Sequence, residues 1–174
     1  MSKPNVLVKI SGDLIGQLAV RDWVQELTSG YSVTVIVGGG QQINNHFRQC
    51  HKHVQRFGPM GREINAMKDR LVAKDILEEN RIVYQEYFDR YKIPVRVEIP
   101  VFYPGGNICH VNGDMYALLA YNGFDMIYIV TLPERAAEKK KYFSAVAESI
   151  AKGALEKITI KSFEAKSSHA GILT

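Results

Sequence analysis

Residues 31–40 read Tyr-Ser-Val-Thr-Val-Ile-Val-Gly-Gly-Gly. Val33 to Val37 is β-branched without interruption, the pattern of a strand covered on both faces in a parallel sheet. It runs directly into Gly38, Gly39 and Gly40, and Gln41 to Gln49 follows with Ile43 and Phe47 one helical turn apart. Strand, glycine turn and helix in this order present bare backbone N–H groups at a helix N-terminus. That arrangement suits a phosphate or a carboxylate. A plain tight turn needs the same glycines, so the triplet alone does not separate the two readings.

The flanking chain repeats the pattern. Val6 to Ile10 is a short apolar strand carrying one charge, Lys9, followed by the turn Ser11-Gly12-Asp13. Leu14 to Thr28 has helical spacing and stops at Ser29-Gly30. Strand, helix, strand and helix in the first 50 residues make a βαβ unit, which predicts a parallel sheet with crossover helices. Residues 51–62, broken by Gly58-Pro59 and Gly61, read as a loop. Glu63 to Tyr91, free of Gly and Pro, reads as two helices or one long helix broken near Asn80. Val95 to Val101 is a strand whose Arg96 and Glu98 indicate a wetter face or an edge. A loop to Asp114 follows, then a helix from Met115 to Tyr121 and a buried strand from Met126 to Val130. Thr131 to Glu138 reads as polar connection, Lys141 to Lys152 as a helix, and Ile158 to Lys161 as a strand. Gly171 to Thr174 is a candidate last strand. The expected fold is one α/β domain over 1–174, a three-layer αβα sandwich on a mainly parallel sheet.

Hydrophobic content of 46% with 23% charged residues is ordinary for a globular chain. The net charge of +4 is mild and, apart from Lys139 to Lys141, spread along the sequence. This argues against nucleic acid, which selects a basic stripe with stacking aromatics, and is compatible with a small anionic ligand. Two cysteines make no disulfide framework. With a polar start running into a strand and no long apolar run, the expectation is a cytoplasmic protein without membrane contact.

Three loops should meet at the carboxyl ends of the strands: Lys9 to Asp13, Gly38 to Gly40, and Gly105 to Asp114. Open α/β sheets bind ligands at that edge. Lys9, ending an apolar strand beside Ser11 and Gly12, either snorkels to solvent or sets a point charge on an anion, and the glycine loop on a neighbouring strand favours the anion. His46, Cys50 and His53 stand at i, i+4 and i+7, metal-ligand spacing if one helix carries them all, with Cys109-His110 as further ligands. The plainer reading is a polar helix face, and no metal is expected. Cys50 or Cys109 as a nucleophile rests only on a nearby histidine in sequence, which does not supply geometry.

Val-Lys-Ile-Ser-Gly-Asp at 8–13, the strand and glycines at 35–40, and Asn-Gly-Asp-Met-Tyr-Ala-Leu-Leu-Ala at 112–120 with Phe-Asp-Met-Ile-Tyr-Ile-Val-Thr at 124–131 together resemble the amino acid kinase family, in its uridylate kinase branch. The resemblance implies ATP-dependent, Mg²⁺-assisted phosphoryl transfer to a small phosphate or carboxylate acceptor, and a homo-oligomer formed through the helix of 63–91. It implies catalytic roles for Lys9, Asp114 and a late-helix lysine, Lys141 or its neighbours Lys139 and Lys140. It implies phosphate or acceptor contacts from Ser11, Gly12, Gly38, Gly39, Gly40, Gly105, Gly106 and Asn112. Asn44 stands about where uridylate kinases carry an arginine. After Thr131, Leu132-Pro133-Glu134-Arg135 leads almost at once into the lysine-bearing helix, so the nucleotide-binding half is shortened. The alternative expectation is a catalytically inactive relative that binds a ligand or assembles.

Overall fold

The computed structural model describes residues 2–14, 16–50, 56–58 and 60–165. The first part of the chain runs β1 (Asn5–Ile10), α1 (Leu18–Gly30), β2 (Ser32–Ile36), α2 (Gly40–Gln49), β3 (Arg56–Gly58), β4 (Gly61–Glu63) and α3 (Met67–Arg90). It continues β5 (Val95–Glu98), β6 (Val101–Phe102), β7 (Cys109–His110), α4 (Gly113–Leu119), β8 (Met126–Thr131), α5 (Pro133–Ile150) and β9 (Ile158–Ser162). Five strands form one parallel sheet in the order β5-β2-β1-β8-β9.

Alternation along the strands divides the core. Val6, Val8 and Ile10 face the same side as Val33 and Val35 and pack under α1 and α3, with Val20, Val24, Leu77 and Phe88. Leu7, Ile36, Ile127 and Ile129 face the other side and pack against Leu118 of α4 and Phe143 and Ala147 of α5. Helices on both faces of a parallel sheet make the expected three-layer α/β architecture. From β1 the chain builds outward to β2 and β5, then returns to lay β8 on the opposite side of β1. The order reverses between β1 and β8, and the crevice at their carboxyl ends is where such sheets receive ligands. Among the described residues no helix is long and apolar enough to cross a membrane.

Several boundaries differ from the sequence reading, each for a local reason. The 51–62 loop ends in an antiparallel hairpin, β3 with β4, pairing Phe57 with Arg62. Helix α3 is continuous through Asn80, whose side chain leaves the helix to bind the Gly38 carbonyl. On its outer side Met67, Leu71 and Ile82 stay exposed along one stripe. The strand expected over Val95 to Val101 breaks after Glu98, and its second piece joins β7 in a small separate ladder. Helix α5 begins at Pro133 rather than Lys141, because proline's fixed φ and missing N–H suit the first helical position. The candidate strand at Gly171 to Thr174 lies outside the described residues.

One glycine holds the hairpin in place. Gly61 has φ +114°, and a Cβ there would lie 2.7 Å from the Asn112 backbone nitrogen, which donates to the Met60 carbonyl at 2.7 Å. Replacing Gly61 by Ala should therefore cost about 2 kcal/mol in urea unfolding, from left-handed backbone strain plus the contact. Gly12→Ala, with open space around its Cβ, should stay within about 0.5 kcal/mol.

Candidate functional site

Lys9 leaves β1 on the α4–α5 side of the sheet, at the strand order reversal. Its stem passes Gly113, where a Cβ would sit 3.2 Å from Lys9 Cε. Its ammonium lies 3.0 Å from Oδ1 of Asp114, in the first turn of α4. The other carboxylate oxygen accepts from Lys139 of α5. Asp114 is only 2% exposed. Asn112 caps α4 by accepting from the Asp114 backbone N–H at 2.9 Å, which fixes where the carboxylate starts. Burial on its own would raise the Asp114 pKa. Lys9 and Lys139 outweigh that and hold it below the ordinary carboxylate value.

Through Lys9 this cluster touches a cavity of about 480 Å³, within the range of small-molecule sites. Lys9 forms part of its wall, and the glycine loop forms another part. Helix α2 has no side-chain N-cap, so the N–H groups of Gly40, Gln41 and Gln42 have no partner within the helix, and all three residues line the cavity. Gly39 is needed for a second reason. A Cβ there would meet Asn80 Nδ2 at 2.8 Å and Leu77 at 3.0 Å, so the glycine lets the loop lie against α3.

A further cation reaches the cavity from β4. Arg62 donates to Asn44 Oδ1 at 2.6 Å and to the Gly40 carbonyl at 3.1 Å. Burial lowers its pKa, and both of those partners are neutral. A partly desolvated guanidinium bound to neutral acceptors is open to an anion. Arg135, from the first turns of α5, pairs with Asp13 at 3.1 Å, and both side chains line the cavity and are substantially exposed.

The structure brings together Lys9, Gly12, Gly38, Gly39, Gly40 and Asn112 around the cavity, with Asp114 behind Lys9. Ser11 is buried beside them, its N–H donating to the Val130 carbonyl. Gly105 and Gly106 are exposed, form a turn with positive φ, and take no part in the cavity lining. Lys141 is exposed, and Lys139 takes the place expected for it beside Asp114. The signal for Lys139 was its i, i+4, i+8 spacing with Phe143 and Ala147, both buried. It becomes legible once α5 is started at Pro133. Arg62 was missed because its hairpin read as loop.

Of the metal constellation, the described residues are His46, Cys50, Cys109 and His110. His46 Nε2 lies 3.6 Å from Cys50 Sγ, His53 falls outside the described residues, and among those described no group of three candidate ligands gathers. His110 Nε2 faces the Arg70 carbonyl at 2.9 Å, and burial pushes its pKa down, which keeps the ring neutral.

No family model and no curated protein matches this chain. Among solved structures it is similar to the Cu(II) complex of the HOCl-induced flavoprotein disulfide reductase RclA from Escherichia coli, at 12% identity and a TM-score of 0.24. That likeness covers 93% of this chain and 49% of the reductase, so the chain spans about half of its length. A likeness this slight carries no argument.

The depressed pKa of Asp114 sets a pH dependence. A carboxylate whose folded pKa lies below its unfolded value of about 3.9 stabilises the fold fully above that pH. The contribution is lost as pH falls through the folded pKa. Asp114→Asn should cost about 3 kcal/mol at pH 7, since it leaves two lysines facing a neutral group. The gap between wild type and variant should narrow below about pH 4 in urea titrations at a series of pH values.

Proposed function

We propose that this chain binds a phosphate-containing or acidic small ligand at the carboxyl edge of the sheet and transfers a phosphoryl group to it from ATP. The observation that carries the reading is Lys9, paired with the buried Asp114 that also binds Lys139, lining the same cavity as the N-terminus of α2. Phosphoryl transfer needs positioning and charge neutralisation more than covalent help from the protein. In this reading an acceptor oxygen attacks the terminal phosphorus while the bond to the bridging oxygen breaks, and that oxygen leaves with the electron pair. Lys9 and Lys139 neutralise charge on the transferring group. Asp114 spaces the two ammonium groups and keeps them from repelling each other. The N–H groups of α2 and Arg62 hold the acceptor's own anion.

The family resemblance brings Mg²⁺ with the nucleotide, and the residues present do not fit a protein-held ion. Each Asp114 oxygen faces a lysine, and Asp13 pairs with Arg135. No step is assigned to the metal. Between β8 and α5 stands a single residue, Leu132, too little chain to wrap a purine. The nucleotide is then held through its phosphates, with little choice among bases. The same observation favours a second reading, ligand binding without turnover.

Calorimetry with pyrophosphate, ATP, GTP and CTP tests the proposal. The three nucleotides should bind within about threefold of one another. At 100 times the dissociation constant, each should add roughly 2.7 kcal/mol of stability. Lys9→Ala and Lys139→Ala should each weaken binding by about tenfold or more, the scale of one charge-assisted contact. Lys141→Ala should leave it unchanged. Absence of polyphosphate binding by the wild type, or an equal loss in Lys141→Ala, contradicts it. Product formation with a phosphate acceptor separates the transferase from the binding-only reading.

A further inference from the structure

The β3–β4 hairpin adds a feature that the phosphate chemistry does not use. Phe57 is 67% exposed and lines the cavity. Single exposed aromatics are ordinary on protein surfaces. This one is held against the anion end of a cavity by a chain of contacts. Phe57 and Arg62 are cross-strand partners, and the Arg62 guanidinium carbon lies 4.9 Å from the Phe57 ring centroid. The same guanidinium binds the Gly40 carbonyl and Asn44 of α2. It therefore ties the ring to the helix N-terminus at one guanidinium's reach. Met60 in the hairpin turn is tied to Asn112, and Gly61 permits that approach. The cavity lining also includes the apolar and aromatic side chains of Leu77, Tyr84 and Pro100.

We infer that Phe57 is a stacking platform, and that the acceptor is a small phosphomonoester whose phosphate is joined by a short link to a planar aromatic or heteroaromatic ring. The inference rests on the anion-site reading above and adds the class of acceptor. The phosphate lies at the start of α2 beside Arg62, and the ring stacks on Phe57 within the same cavity. A flat π face gains from offset stacking and from the nearby guanidinium, and a puckered ring of equal bulk does not.

Benzyl phosphate, cyclohexylmethyl phosphate and inorganic phosphate, titrated calorimetrically into the full chain, provide the test. Wild type should bind benzyl phosphate at least fivefold more tightly than its cyclohexyl counterpart. In Phe57→Leu the ratio should fall to about one, and in Phe57→Tyr it should return. Phe57 is exposed, so both variants should keep the wild-type unfolding midpoint within a few degrees. Equal binding of the two esters by wild type overturns the platform, as does a preference that survives in Phe57→Leu. If wild type binds inorganic phosphate while either of those results holds, the platform fails and the anion reading stands. If it binds neither ester nor inorganic phosphate, the anion reading fails and takes the platform with it.

Discussion

A carboxylate with 2% exposure is tolerable in a fold only when its charge is answered on every side. Asp114 is answered twice, by Lys9 from β1 and by Lys139 from α5, and its backbone is capped by Asn112. These three elements meet where the strand order reverses. The ion cluster therefore does two things. It holds α4 and α5 to the central strand, and it keeps a lysine at the crevice wall in a defined place. Removing Asp114 leaves two lysines without their counter-charge, and removing either lysine leaves the buried carboxylate with a single partner, which is why the cluster works as a unit.

The cavity is built around that fixed point. Its glycine loop satisfies two demands at once: Gly39 allows close packing on Asn80 and Leu77, and the following turn of α2 leaves its N–H groups open. The packing role is seen at Gly39, and the proposed anion role falls to the residues that follow it in the same loop. Arg62 comes from a distant stretch and is clamped to Asn44 and Gly40. Where the resemblance led one to look for an arginine after the glycines, Asn44 instead holds an arginine supplied by the hairpin.

The parallel sheet, the βαβ start and the position of Lys9 were legible because β-branched runs and helical spacing are strong local signals. Asp114 was legible through the resemblance, and burial explains why it needs two lysines. Of the three lysines expected to serve, Lys139 rather than Lys141 meets Asp114, and the sequence could not choose between them because the polar run after Thr131 hid a helix start that only Pro133 marked. The hairpin carrying Phe57 and Arg62 was illegible for a different reason. Its strands are three residues each, too short for alternation to register, and its pairing depends on Gly61 docking against Asn112, a contact 51 residues away in sequence. Short elements stabilised by long-range contacts leave little trace in local pattern.

The most direct test of the account is the location of a heavy oxyanion. Crystals of the protein soaked in tungstate, a tetrahedral stand-in for phosphate, should give an anomalous difference peak within hydrogen-bonding distance of the first N–H groups of α2. Lys9 or Arg62 should supply a charged contact, and the peak should vanish in Lys9→Ala crystals if that lysine is the main charge. Peaks confined to exposed lysines elsewhere on the surface, with the α2 start and Lys9 bare, would contradict it.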